Sequence, residues 1–275
     1  MTGNRQTSAD PGASGLASKP AVYSWDPNSN SGKPMFVLTE KGVDFDFHYI
    51  DLLEFEQHAP DYVAINPAGT VPTLVHQGVV FTESTEMCEY IDAAFPGVSL
   101  VPDDVAQRYA MRLWCRKTDV AAESVSVLGW HNHLGPMVRS KSPEELERLI
   151  ARIPTEERRI SWRSASQQSF TPEQLDDAQA KIVAYVRELD GALRNSPWLV
   201  GEQFTLADIL TFANFYSLPL SNPAAAQDVP HFEDWLRRIY QRPATLRTFA
   251  LARSLARRAF KVAEMLGVST EGAAA

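Results

Sequence analysis

The sequence predicts an α/β unit followed by an all-α unit, and three observations carry that prediction. Short segments with alternating apolar residues, the period of a half-buried strand, occur only in the first third of the 275 residues. Beyond the turn-rich stretch from Pro96 to Asp103 these strand signals vanish, and apolar residues recur at steps of three and four. Between the two regimes, Asn66-Pro-Ala-Gly-Thr-Val-Pro-Thr-Leu-Val75 runs a loop and an X-Pro bond into a strand, and Thr82-Glu-Ser-Thr85 follows as a turn that opens a helix. This leaves free backbone groups at Val71 to meet an extended peptide, with the acidic-plus-hydroxyl pair Glu83-Ser84 nearby. The Val71-Pro72 bond is a candidate for the cis isomer, which costs little before proline and is kept where a tight turn requires it.

Ala21-Val-Tyr-Ser-Trp25 reads as the first strand, Asp26 to Ser31 as a loop, and Gly32 to Lys41 as a helix that stops at Gly42. Pro34 suits a first helical turn, where its missing N–H costs little. In Asp44-Phe-Asp-Phe-His-Tyr-Ile50 the alternation of Phe45, Phe47 and Tyr49 predicts a second strand. Thr73–His76 and Val79–Thr82 flank Gln77-Gly78 as a hairpin. Met87, Tyr90 and Ile91 then resume helical spacing, and the unit closes near Phe95-Pro-Gly97. Its order is βαβ, then ββα, a thioredoxin-like arrangement. In the second unit, Val105 to about Trp130 predicts a long helix and Pro143 opens another. Leu175, Ala178, Ile182, Val186, Leu189 and Leu193 form an apolar stripe, Thr205-Leu-Ala-Asp208 has the spacing of a capping box, and Phe232 to Gln241 makes a further helix. The expected organisation is a disordered leader over 1–20, a thioredoxin-like unit over 21–97, an all-helical substrate-binding unit over 104–262 and a frayed tail over 263–275.

A net charge of −8 argues against nucleic acid as the main partner, because phosphate recognition relies on clustered Lys and Arg. No apolar run approaches the roughly 20 residues that span a bilayer, and Met1 to Pro20 lacks the apolar core of a secretory signal. A cytoplasmic protein is expected. Cys88 and Cys115 lack ligand spacing and read as small buried residues in a reducing compartment. His131 and His133 are two apart, which is not a helical metal-ligand spacing, so no metal site is expected.

Val71-Pro72, Glu83-Ser84 and Thr205-Leu-Ala-Asp208, in that order and in these two units, resemble the cytosolic glutathione transferases over roughly residues 21 to 250. A narrower resemblance is carried by Asn30-Ser-Gly-Lys-Pro34, Phe55-Glu-Gln-His58, Ile65 to Pro72, Thr82 to Thr85 with Cys88-Glu-Tyr90, and Ser161-Trp-Arg163. Together these look like the bacterial glutathione-dependent β-etherases, which cleave lignin-derived β-aryl ethers. The resemblance implies glutathione as co-substrate, an aromatic β-ether as second substrate, and a dimer, either of identical chains or with a related chain. It implies that Val71, beside cis-Pro72, meets the cysteine part of glutathione, that Glu83 and Ser84 hold its γ-glutamyl end, and that Gln57 and His58 bind its glycine carboxylate.

The chemistry needs a thiolate, and a free thiol with a pKa of about 8.5 is mostly protonated at neutral pH. A donor at a helix N-terminus stabilises the anion by hydrogen bonding and by the helix's partial positive charge. A shift of about two units is worth roughly 2.7 kcal/mol. Ser29, Asn30 and Ser31 precede the first helix and are the available donors; Asn30 and Ser31 correspond to the Asn-Ser pair of the resembling etherases. The competing role for all three is plain helix capping. Tyr23 lies inside the first strand and reads as packing. Trp130 and His133 near the end of the long helix, and Trp162 after the 140–159 insertion, are the candidates for stacking on phenolic rings between the units. A detoxifying transferase or isomerase with another pocket, or a non-catalytic subunit of the same fold, would share most of these features.

Overall fold

The computed structural model describes residues 19–167, 170–253 and 256–270. The leader expected over 1–20 therefore lies almost wholly outside the described residues. The first unit contains β1 (Ala21–Ser24), α1 (Ser29–Glu40), β2 (Asp46–Tyr49), a short turn Pro60–Val63 (α2), β3 (Thr73–His76), β4 (Val79–Phe81) and α3 (Ser84–Ala94). The four strands lie in the order β2-β1-β3-β4, with β1 parallel to β2 and antiparallel to β3. At the β3–β4 hairpin both Gln77 (φ 51°) and Gly78 (φ 78°) are left-handed, as a two-residue hairpin turn demands.

Helix α1 starts three residues earlier than the sequence predicts. Ser29, Asn30 and Ser31 form its first turn rather than the loop before it. The 25–28 segment is tightly folded, with Asn28 N–H on the Asp26 carbonyl at 2.7 Å, so the chain is already turning when it reaches Ser29. Pro34 consequently stands in the second turn, where its missing N–H leaves the Asn30 carbonyl without its usual i+4 donor. Gly32 is required here, since a Cβ would lie 2.8 Å from the Pro27 carbonyl carbon.

The second unit begins at α4 (Val105–Gly129), whose first turn is capped by Asp104 accepting from Gln107 N–H at 2.8 Å. The helical path does not end near Trp130. It passes through a single π turn, Trp130–Leu134, into α5 (Gly135–Arg139). The Gly135 N–H bonds to the carbonyl of Trp130, and a Cβ at Gly135 would come within 2.8 Å of that oxygen. Glycine is what lets the wider turn form. Then follow α6 (Pro143–Ile150), α7 (Glu156–Gln167), α8 (Pro172–Leu193), α9 (Leu206–Phe215), α10 (Leu218–Ser221), α11 (Pro230–Tyr240), α12 (Pro243–Phe249) and α13 (Ala256–Met265).

The predicted stripe of α8 is buried from Ala178 to Leu193, with Leu175 half-buried at its start. Helix α13 corrects the tail expected to fray from 263. Ala263, Leu266 and Val268 are buried in the main core, because the helix is apolar on one face and packs it inward.

The two units share that core. Phe36 of α1 meets Phe212 of α9 and Phe249 of α12 edge-on at 5.5 and 5.2 Å. The Glu40–Arg242 ion pair and the Lys33–Asp119 pair (2.5 Å) tie the same helix to α11–α12 and α4. Lys33 is 1% exposed, and its ammonium is also 3.3 Å from the Thr85 hydroxyl at the start of α3.

Candidate active site

A cleft of about 340 Å³ opens between the units. One wall comes from the first: Trp25, the first turn of α1 and Val71. The other comes from the end of α4, the π turn, α9–α10 and Arg258 of α13.

Of the three predicted thiolate donors, all line the cleft, and the structure separates them. Ser29 is left-handed (φ 54°), a strained conformation for a residue with a side chain. Its hydroxyl donates to Asn214 Oδ1 of α9 at 3.0 Å, and Asn214 in turn donates to the Leu210 carbonyl at 2.9 Å. Ser29 is thus a tether between the units. Asn30 is exposed, and its side chain is unpaired among the described residues. Ser31 is 6% exposed; its carbonyl accepts from Ser24, while its hydroxyl has no partner among the described residues. Asn28 makes no side-chain cap at α1 either. The N-terminal N–H groups of α1 therefore face the cleft uncapped, a ready site for an anion.

Val71-Pro72 is cis, as the sequence suggested. The loop that presents it is braced from below. Asn66 Nδ2 donates to the Thr70 carbonyl (2.9 Å) and to Thr73 Oγ1 (3.0 Å), and the Tyr62 hydroxyl bonds to the Thr70 carbonyl and to Thr73 Oγ1. Backbone N–H and C=O of Val71 take no hydrogen bond among the described residues, so they remain open to an extended peptide. Pro72 is buried behind Val71.

Glu83 and Ser84 stand at the N-terminus of α3, outside the walls of this cleft, with both side chains unpaired among the described residues. Lys33 links this corner to α1 through Thr85, whose hydroxyl donates to Asp119 Oδ2 at 2.9 Å.

Gln57 and His58 are placed differently from the expectation. They are 3% and 2% exposed, away from the cleft surface, and neither His58 nitrogen has a partner. Burial, with the Arg158 and Arg152 charges adding to it, pushes His58 down to about 4, so the ring is neutral at pH 7. The 140–159 insertion, whose helix opens at Pro143 as the sequence predicts, packs on this corner. Its helix α6 buries Leu149 and Ile150 against Phe55, and Lys141 pairs with Glu54 at 2.9 Å.

Trp130 and His133 line the cleft. Trp162 does not; it packs behind them, 5.2 Å from Trp130 and 4.6 Å from Phe55, as a buttress. Burial, then the Arg258 charge, holds His133 below the ordinary histidine range. Tyr23 stacks on His48 at 4.4 Å, the packing role its strand position predicted. The cysteines are buried and free; burial raises Cys88 strongly and pushes Cys115 up to about 12, so neither is a nucleophile at neutral pH. Among the described residues no group of His, Cys, Asp and Glu is arranged to hold a metal, and no helix is long and apolar enough to cross a membrane.

The sequence reading missed Asn214, Ser217, Ser221, Asn222 and Arg258, which give the helical wall its polar character. They lie over 180 residues from Ser29 along the chain and carry no local spacing signal.

Comparison with known proteins matches residues 29–94 to the glutathione S-transferase N-terminal domain and 157–243 to the glutathione S-transferase C-terminal domain. Protein LigF of Sphingobium sp. strain SYK-6 is 37% identical over 237 residues, covering 83% of this chain and 92% of that one. The crystal structure of that protein, described as a beta-etherase, superposes with a TM-score of 0.78 at 35% identity, covering 84% of this chain and 98% of that one. Glutathione transferase F7 of Populus trichocarpa shares the fold at a TM-score of 0.65 and 21% identity, covering 90% and 99%.

Proposed function

This chain belongs to the glutathione S-transferase family, and we propose that within it the chain is a glutathione-dependent β-etherase acting on lignin-derived aromatic ketones. The observation that carries the proposal is the meeting of two surfaces in one cleft. An uncapped helix start with Asn30 and Ser31 faces an apolar wall of Trp130, Leu128 and Leu134. The similarity to LigF over most of both chains supports the same reading.

Glutathione lies extended across Val71, its backbone paired with that residue, its γ-glutamyl end at Glu83 and Ser84. Its sulfur then sits over the first turn of α1. There the Ser31 hydroxyl and the Asn30 side chain donate to the thiolate, and the free N–H groups add the helix's partial charge. Ser29 is committed to Asn214 and sets the distance between the walls. The thiolate attacks the carbon bearing the aryloxy group, next to the ketone. A C–S bond forms, the C–O bond breaks, and its electron pair leaves on the phenolic oxygen. The chain supplies alignment and an anion at neutral pH. Gln57 and His58 reach the glycine carboxylate only if the 140–159 insertion shifts.

The working unit is a dimer, with itself or a related chain, in the cytoplasm. Exposed Val79 and Val80 on β4 and Tyr109 and Val120 on α4 supply apolar surface for that pairing to cover.

The test is phenol release from each enantiomer of a β-aryl ether ketone with glutathione. One enantiomer is expected to react, and Asn30→Ala/Ser31→Ala is expected to slow it by about 50-fold at pH 6.5, the thiolate fraction lost when the thiol pKa rises two units from about 6.5 to about 8.5. An unchanged rate in the double variant would overturn the assigned activation. Glutathione binding without release from either enantiomer would overturn the etherase reading.

A further inference from the structure

The cleft has a charge pattern that the thiolate chemistry does not use. Among its described lining residues there is one formal charge, the guanidinium of Arg258, and no Asp or Glu, although the chain carries 34 acidic residues and a net charge of −8. Arg258 is half-buried in the first turn of α13 and makes no hydrogen bond or ion pair with any described residue. A half-buried guanidinium ordinarily finds a carboxylate, because its donors lose water there. Two further lining residues carry donors without an acceptor among the described residues. Trp25 is 8% exposed with its indole N–H buried and unpartnered, and Asn132 of the π turn is exposed with its amide unpaired. His133 lies beside them, held below the ordinary histidine range by burial and then by the Arg258 charge. The described lining of the cleft thus offers donors and no anion.

We propose that Arg258 binds the phenolate oxygen of the departing aryl group, resting on the etherase reading for the step but not for the binding itself. When the C–O bond breaks, the electron pair and negative charge arrive on that oxygen. A cation already in place, with no competing carboxylate among the described lining residues, stabilises this charge where it develops. The neutral ether oxygen of the substrate gains much less from the same cation, so the contribution is to the rate and not to substrate binding.

Binding and rate test this separately. The first probe is 4-nitrophenol, whose two protonation states absorb differently, titrated into the glutathione-loaded protein. In the unaltered chain its apparent pKa is expected to fall by about one unit on binding, a tenfold preference for the phenolate. Arg258→Ala is expected to abolish that preference and Arg258→Lys to keep part of it, with the pKa of bound glutathione thiol, read from thiolate absorbance, unchanged in both. An equal bound pKa in the unaltered chain and in Arg258→Ala would overturn the proposal, as would a thiolate pKa that moves with Arg258. The second probe is a series of β-aryl ethers differing in leaving-group acidity. Arg258→Ala is expected to lower kcat about 100-fold for guaiacol and only a few-fold for nitrophenol as leaving group, the size seen when one oxyanion donor is removed. A uniform loss across the series, or a loss confined to KM, would overturn it. Phenolate preference without cleavage of any ether would uphold the site and overturn the etherase reading.

Discussion

Asp208 lies wholly buried in the first turn of α9, the helix that also carries Asn214, the partner of Ser29. Its Oδ1 accepts from the Leu199 N–H (3.0 Å) and the Trp235 indole (2.9 Å). Its Oδ2 accepts from the Thr205 N–H (3.0 Å) and hydroxyl (3.2 Å). Asp208→Ala orphans three buried N–H donors, and each costs about 1–3 kcal/mol, so roughly 6 kcal/mol is lost on that account. Burial works the other way: it raises Asp208 from 3.8 to about 6, a charge penalty of about 3 kcal/mol at pH 7. The expected net loss is about 3 kcal/mol at pH 7, a large share of a typical domain's stability.

The pH dependence of that loss has a definite sign. With the folded pKa above the unfolded one, the charge penalty is absent below about 3.8, grows as pH rises, and is fully present once pH has passed about 6, leaving only the net contribution above. The gap between the unaltered chain and the variant should therefore widen by about 1 kcal/mol from pH 7 to pH 5. Urea unfolding of both proteins at the two pH values, followed by tryptophan fluorescence, measures it. A loss under about 1 kcal/mol, or a gap that narrows towards pH 5, would refute the assignment of Asp208 as the buried acceptor that holds α9 in place.

Two further perturbations test the walls of the cleft. Gly135→Ala puts a methyl group 2.8 Å from the Trp130 carbonyl oxygen and 3.2 Å from its indole nitrogen, so the π turn must shift. The expected outcome is a loss of about 1–3 kcal/mol in unfolding, with a higher KM for the aromatic substrate and an unchanged KM for glutathione. At the Lys33–Asp119 pair the two partners are unequal: Lys33 is 1% and Asp119 42% exposed. Lys33→Met leaves a carboxylate that water can reach and should cost under about 2 kcal/mol, whereas Asp119→Ala strands a buried ammonium and should cost about 3–5 kcal/mol. Denaturant midpoints of the two variants decide it, and equal losses would contradict the asymmetry.

Much of the first unit was legible because its signals are local. The alternation of Phe45, Phe47 and Tyr49, the Gln77-Gly78 turn and the Val71-Pro72 bond each express a backbone preference within a few residues. The Thr205–Asp208 box and the α8 stripe are equally short-range, and they marked the helical unit. Helix α1 starts three residues before the sequence predicts, since the 25–28 segment is already turned at Ser29, whose hydroxyl meets Asn214, 185 residues away. The π turn was hidden for a related reason: Gly135 reads as an ordinary small residue until the Trp130 carbonyl is seen beside it.

Residue type and order alone determined that this chain has a thioredoxin-like unit, a helical unit, and the polar side chains Ser29, Asn30 and Ser31 at the start of its first helix. Tertiary structure decided which of those donors are free, since only packing against α9 engages Ser29 and leaves Asn30 and Ser31 open. It also buried Gln57 and His58, set Trp162 behind Trp130, and brought Arg258 into a cleft with no carboxylate among its described lining residues. The physical reason is the same throughout. Local propensity acts over one turn of chain, whereas burial, pairing and charge at a site depend on residues that only the folded core brings together.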